Sequence, residues 1–286
     1  MSARPCRSLL ALLVAVMAGH PAAAEVREIM QLAQTEPAID EQTLVVFDID
    51  NTLLEPVQTL GSDQWFYYLV DQGKRERRLS ENKAIAEAVA TWNRVQEDVI
   101  VRPVEPDTPA LVRRLQERGV RIIALTARTS GAAAITERQL RSIGIDLGRN
   151  PLPRPAVREG RRPDTSQPWL GAILFLGENQ TKGEALAKVV RSLPEPPSRV
   201  VFVDDKAHNT RSVDRALARL RIPVVAFRYG ATDARVAAFD PAVAEVQLRW
   251  WRRILSDQAA RDLDRCSSAP ASSAPASSAP ASSAPY

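Results

Sequence analysis

The chain has 286 residues, 45% of them hydrophobic and 25% charged, with a formal net charge of +4. That is ordinary globular composition, with enough apolar material to bury a sizeable core. Arg4 and Arg7 lie in the first 24 residues, which hold no acid, so the rest of the chain carries +2. This balance, without a long basic stripe, excludes a charge-based case for nucleic acid.

Residues 1–24 read as a secretory signal peptide. Arg4 and Arg7 supply its positive start, and Leu9 to Ala18 form an apolar middle too short to span a bilayer as a mature helix. Ala22-Ala23-Ala24 offers a small-residue cleavage site, with Glu25 as the new terminus. An uncleaved N-terminal anchor is the other reading. The expected location is secreted or periplasmic, with no integral membrane segment after signal removal. Cys6 lies in the removed segment, so Cys266 has no partner for an internal disulfide.

Leu44 to Phe47 is an apolar run bounded by polar residues, the pattern of a buried parallel strand. It leads directly into Asp48-Ile49-Asp50-Asn51-Thr52. The segment from Glu55 to Glu105 then interrupts a strand–helix alternation. It carries the aromatic cluster Trp65-Phe66-Tyr67-Tyr68 and a helix starting near Ser80. The aromatics are expected to pack a small core of that segment's own, with one or two at a substrate entrance as the alternative.

Thr108-Pro109 opens the next helix, with Thr108 as cap, and Gly119 ends it. A strand from Arg121 to Leu125 stops at Thr126, and a helix from about Gly131 to Ile143 stops at Gly144. Residues 149–168 hold five prolines and five arginines and should be irregular. A strand over Ile173 to Leu176 precedes Thr181-Lys182-Gly183-Glu184, a capping-box helix start. Val200 to Val203 is a strand ending at Asp204-Asp205, and Val224 to Phe227 is the last strand. The alternation predicts a parallel sheet covered on both faces. Residues 267–286 repeat Ser-Ser-Ala-Pro-Ala and should form a tail that cannot offset its ordering entropy.

Ligands of open α/β sheets bind beyond the carboxyl ends of the strands, where the acids and Thr126 fall. Asp48 and Asp50 would repel each other unless a cation or proton lay between them, which points to a hard metal ion, an acid/base pair, or both. Asp204-Asp205 is costly at a buried strand end unless paired with a cation. The Thr126 hydroxyl, with backbone N–H groups nearby, can hold an anionic oxygen. Lys182 stands at the first helical position, where the dipole disfavours a cation by roughly 0.3–1 kcal/mol. A bound anion would supply a reason for it. On that reading Lys182→Ala should leave stability unchanged or slightly higher. His208 is the one histidine beyond the signal segment, which excludes a site of several His or Cys zinc ligands and the usual serine triad. It reads as a surface residue near the site, and Asn209 as a support for the acids or a helix cap.

Taken in order, these residues resemble the four motifs of the haloacid dehalogenase-like (HAD) hydrolase superfamily. Val46-Phe47-Asp48-Ile49-Asp50-Asn51-Thr52-Leu53 is similar to the first motif and Ala124-Leu125-Thr126 to the second. Lys182-Gly183-Glu184 is similar to the third, and Val203-Asp204-Asp205 to the two-acid form of the fourth. The resemblance implies an α/β, Rossmann-like three-layer core with a parallel sheet, built from residues 25–54 and 106–266. It also implies a small helical cap inserted at residues 55–105.

The function it implies is an exported, magnesium-dependent phosphomonoesterase acting on a small phosphorylated substrate. Asp48 would be the nucleophile that forms an aspartyl phosphate, and Asp50 the general acid and base. Thr126 and Lys182 would hold the phosphoryl oxygens. Magnesium would bind Asp48, the Asp50 backbone carbonyl, Asp204 and Asp205. Asn51 and Arg128 are the expected substrate contacts. Alternatives are a phosphomutase or phosphotransferase with the same nucleophile, and a non-catalytic phosphate-binding periplasmic protein. No nucleic-acid partner is expected, and the oligomeric state is left open.

Overall fold

The computed structural model describes residues 26–152, 169–176 and 180–268. The signal segment, most of the proline- and arginine-rich stretch, and the tail from residue 269 lie outside the described residues.

The elements run in chain order as β1 (Arg27–Ile29), β2 (Thr43–Phe47), β3 (Leu54–Pro56), α1 (Asp63–Arg75), α2 (Glu81–Gln96), β4 (Val101–Pro103) and α3 (Thr108–Glu117). There follow β5 (Arg121–Thr126), α4 (Ala133–Ser142), β6 (Trp169–Leu170), β7 (Ile173–Phe175), α5 (Lys182–Ser192), β8 (Arg199–Asp204) and α6 (Ala207–Ala218). The described residues end with β9 (Val224–Tyr229), α7 (Asp233–Ala237), α8 (Pro241–Arg249) and α9 (Asp257–Ser268). The last helix therefore extends two residues into the expected tail. Cys266 on it is exposed and, among the described residues, unbridged.

Among the described residues, seven strands form one sheet in the order β1-β9-β8-β2-β5-β7-β6. Every pairing is parallel except β6 with β7. All five residues of β2 are buried. Successive side chains point to opposite faces, so both faces of this strand are covered. The fold is α/β and Rossmann-like, as expected.

Register decides where the chemistry can sit. Phe47 at the end of β2 is level with Ala124 of β5 on one side and Val203 of β8 on the other. The chain leaves β2 towards β5 and β7, then returns to β8 on the opposite flank. Such a reversal opens a crevice beyond the strand ends. Asp48 and Thr126 border it, and Asp204, at the end of β8, lies buried beside Asp48.

Helix ends follow the local signals, with one shift. Gly119 and Gly144 end α3 and α4 with φ of +81° each, a conformation that favours glycine. Thr181 and Glu184 complete the capping box of α5. At α3 the cap position is Asp107, and Thr108 is already helical.

The segment over residues 55–105 holds α1 and α2 above the antiparallel pair β3–β4. Its aromatic cluster does not build a core of its own. Trp65, Trp92, Leu60 and Val95 belong to the same apolar cluster as the sheet residues. The C-terminal helices also clasp this segment. Asp257 accepts from both the backbone N–H and the hydroxyl of Thr59 at 2.9 Å, while Gln247 accepts from Leu60 N–H at 2.8 Å. Among the described residues, no helix is long and apolar enough to cross a membrane.

The start of α5 is held by close approach to α6. A Cβ on Gly183 would meet the Ser212 carbonyl oxygen at 2.2 Å. Gly→Ala in a helix ordinarily stabilises by about 0.4–1 kcal/mol. Here the clash should reverse the sign, so Gly183→Ala is expected to cost about 1–3 kcal/mol, the usual scale of overpacking. Thermal unfolding of the variant checks this, and a raised melting temperature would contradict it.

Candidate active site

Beyond the ends of β2 and β5 lies a cavity of about 400 Å³, lined by Asp48, Asp50, Thr126 and Lys182 among others. Asp48 follows β2 directly, and its N–H donates to Val203 O at 2.9 Å, extending the ladder to β8 by one rung. The chain then turns. Ile49 O accepts from the N–H groups of Thr52, Leu53 and Leu54, and Asn51 takes φ of +60°, which asparagine tolerates better than most residues. This turn keeps Asp50 on the same cavity as Asp48.

Lys182 reaches the site from the first turn of α5. Its ammonium lies 2.5 Å from Asp48 Oδ1 and 2.6 Å from Asp204 Oδ2, with the side chain 2% exposed. The misplaced helix-start cation thus has a structural reason: two buried carboxylates. Asp204 is satisfied further by Lys206 N–H at 2.9 Å and by the Asn209 amide at 2.9 Å. Asn209 therefore supports the acid and does not cap α6. Asp205 accepts from the Asn51 amide through Oδ2 at 3.2 Å, while its buried Oδ1 has no hydrogen-bond partner among the described residues.

The two expected substrate contacts are both engaged by acids, and Arg128 lines a smaller cavity that shares Asp50, Asp63 and Tyr67 with this one. Asn51 does not line the cavity; its amide is spent on Asp205, and its backbone forms the left-handed turn. Arg128 is 6% exposed and grips Asp50 with two parallel bonds of 2.8 Å. A guanidinium presents paired donors that match a carboxylate, and the nearest carboxylate claims them. The geometry makes both residues supports for acids. Thr126, 1% exposed, accepts from Arg128 N–H at 3.1 Å while lining the cavity. His208 lies exposed at the cavity edge.

Sequence reasoning missed the far wall. Lys206 Nζ lies 2.7 Å from Asp63 Oδ2, donates to Tyr67 Oη at 3.0 Å and stands 4.6 Å from the Tyr67 ring centroid. Asp63 and Tyr67 come from α1, so the inserted segment contributes directly to the cavity lining. The position of Lys206, immediately after the acid pair, was the available signal. Of the aromatic cluster, Tyr67 lines this cavity, and Phe66 lines a smaller adjoining one with Trp92 and Asn93.

Electrostatics explain why these acids need a cation. One carboxylate oxygen each from Asp48, Asp204 and Asp205 lie within 4.8 Å of one another. At that separation two unit charges repel by roughly 3 kcal/mol at an effective dielectric of 20. Burial pushes Asp48 well above the ordinary carboxylate range; Lys182 opposes this, and Asp204 and Asp205 add to it. Burial also pushes Asp205 up to about 7, against the pull of Lys206. For Lys182 burial works against the ammonium, but Asp204 and Asp48 outweigh it and hold the group charged. An all-oxygen donor set with an orphaned buried carboxylate oxygen fits a hard divalent cation such as magnesium.

The sequence profile of a family described as "Protein of unknown function (DUF2608)" matches residues 23–261. The chain belongs to this family. The match includes every residue of the cavity named above. Among similar family-sized proteins, one from Chlamydia trachomatis is 24% identical over 240 residues, covering 84% of this chain and 89% of its own, and is named "Putative outer membrane protein". A second with the same description, from Chlamydia pneumoniae, is 26% identical over 230 residues, covering 76% of this chain and 82% of its own. An uncharacterized protein of Rickettsia prowazekii is 26% identical over 240 residues, covering 80% and 86%.

Two outcomes follow from the charge arrangement. Removing one partner of a buried ion pair leaves an uncompensated charge, typically at a cost of about 3–5 kcal/mol. Lys182→Ala in chelator at pH 8 should therefore lose stability on that scale in chemical denaturation, opposite to the gain expected from the helix dipole alone. The second concerns pH. With Asp205 raised from 3.8 to about 7, the folded protein binds more protons than the unfolded chain across that window. Stability in chelator should then fall as pH rises from 5 to 8. Magnesium has to displace those protons, so it should raise the melting temperature more at pH 8 than at pH 5. A melting temperature in chelator that climbs between pH 5 and pH 8 would contradict the assignment.

Proposed function

We propose that this protein is an exported, magnesium-dependent phosphomonoesterase of the HAD type that acts through an aspartyl phosphate on Asp48. One observation carries the reading. Asp48, Thr126 and Lys182 line a single cavity at adjoining strand ends, with Asp204 and Asp205 against Asp48. These are the residues whose order along the chain resembles the four HAD motifs.

The chemistry follows from the side chains. Thr126 and the Lys182 ammonium receive the non-bridging oxygens of the phosphoryl group. An Asp48 carboxylate oxygen attacks phosphorus as the bond to the ester oxygen breaks, which gives the aspartyl phosphate. Asp50 lines the same cavity and gives a proton to the departing oxygen. It then takes a proton from the water that attacks the intermediate and releases phosphate. Its pairing with Arg128 fixes the carboxyl plane, and each oxygen keeps a second lone pair for proton exchange. Asp48, Asp204 and Asp205 would hold a magnesium ion, which supplies the neutralising charge that lets a phosphate approach three carboxylates.

Two features support an envelope or exported location: the signal-like first 24 residues, and the outer-membrane names of the chlamydial relatives. Phosphate esters outside the cytoplasm are commonly scavenged by hydrolysis, and that fits a monoesterase better than a mutase.

Phosphate release over a panel of monoesters tests the reading, with Asp48→Asn as the blank. Activity should fall at least about 10³-fold in Asp48→Asn, the scale of losing a nucleophile that acts with its partners as a unit. EDTA should abolish activity and magnesium restore it. Calcium should restore it poorly, because it takes more ligands at longer distances. Near-full turnover by a folded Asp48→Asn protein would sink the mechanism, and a strict need for an acceptor alcohol would move the reading to phosphoryl transfer.

A further inference from the structure

We infer that Gln96 and Gln139 are positioning residues for Asp50, and that through them the inserted helical segment orients the acid that protonates the leaving group. The inference rests on the phosphatase reading above.

The observation is a directed chain of buried hydrogen bonds. Arg128 holds Asp50 with Nε and Nη2. Its remaining nitrogen, Nη1, donates to Gln139 Oε1 at 2.7 Å and to Thr136 Oγ1 at 3.1 Å. Gln139 Nε2 donates to Gln96 Oε1 at 2.9 Å, and Gln96 Nε2 donates to Gly61 O at 2.6 Å. The chain starts at the entry to the inserted segment, passes through the last residue of α2, crosses to α4 and ends on Asp50.

Its direction is forced. A guanidinium only donates and a backbone carbonyl only accepts. Two amides strung between them can be oriented in one way. Thr136 fits the same logic, because its hydroxyl hydrogen goes to Ala132 O at 2.8 Å and leaves a lone pair for Arg128. Trp92, also on α2, lies with its ring centroid 5.0 Å from the guanidinium carbon and donates through Nε1 to Ser62 O.

Burial argues against a merely structural role. Gln96 is 0% exposed and Gln139 3%. An apolar pair of the same shape could fill the space between α2 and α4 without burying two amides, which add little net stability even when satisfied. What the amides supply and leucines cannot is an acceptor at a fixed point beside Arg128. That acceptor sets the angle of the guanidinium, and the guanidinium sets the plane of the Asp50 carboxyl. Asp48, Thr126 and Lys182 make no contact with either glutamine that the structure records.

The consequence is selective. A loosened Asp50 should impair proton delivery to the leaving oxygen and spare attack by Asp48. The test uses the full chain with magnesium and two esters of similar shape, phenyl phosphate and p-nitrophenyl phosphate. The p-nitrophenolate departs without needing a proton, whereas the phenolate benefits from one. Gln139→Leu strands Gln96 Oε1, so the double variant Gln96→Leu, Gln139→Leu is measured beside it. The double still leaves Gly61 O without its Gln96 donor and Arg128 Nη1 with Thr136 as its remaining acceptor, so both variants are checked by thermal unfolding and Gln139→Leu alone is read where the double does not fold. For the folded variant, kcat/KM should fall about 30-fold on phenyl phosphate and less than about 3-fold on p-nitrophenyl phosphate; the first is less than the roughly 10²–10⁴-fold that general acid catalysis supplies, because Asp50 is loosened and not removed. Asp50→Asn should show the same imbalance, larger. An equal fall on both esters, or no fall on either, overturns the inference while leaving the phosphatase reading intact. Where the panel is turned over but these two esters are not, the same comparison is made on the hydrolysed esters with the poorest and the best leaving groups; release of phosphate from no ester of the panel by the unaltered protein overturns both.

Discussion

Three carboxylates crowd the space beyond β2 and β8, and the Lys182 ammonium stands between two of them. Buried acids at this spacing would force one another neutral or apart without positive charge among them. Much of the local architecture serves to keep that charge in place. The capping box of Thr181 and Glu184 fixes where α5 begins, and the bare backbone of Gly183 lets α5 close on α6. The Asn209 amide and the Lys206 N–H, both from the start of α6, complete the shell around Asp204.

Sheet order does the rest. Because β2 is flanked by β5 and β8, residues 48, 126 and 204 arrive together although they lie far apart in the chain. None of these side chains has to reach far to meet the others. Each sits one step beyond or at the end of a strand whose register is held by a fully buried apolar run. A slip of one residue in β2 would turn Asp48 to the other face.

The inserted segment is better described as a wall than as a separate lid. Its helices share the main apolar cluster, its first residues are clasped by Asp257 and Gln247, and it places Asp63 and Tyr67 on the cavity. A wall held in this way gives a fixed reference against which an acid can be oriented. A cap with its own small core, as the aromatic cluster suggested, would have moved independently of the sheet.

What the sequence determined by itself was set by short-range rules. The apolar run before Asp48, the glycines at 119 and 144, and the Thr181–Glu184 pair act within a few residues, so the strands, the helix ends and the α/β class were legible from them. The six residues at strand ends and the α5 start that resemble known motifs were legible for the same reason. Partner choice was not. Whether Lys182 faces a bound anion or two aspartates, whether Arg128 meets substrate or Asp50, and whether Asn51 lines the cavity or holds Asp205 all depend on which group lies nearest in space. The same is true of Gln96 and Gln139, two unremarkable amides 43 residues apart. Side chains this long can serve several acceptors, and burial decides among them, because a donor removed from water must find its partner within the folded protein.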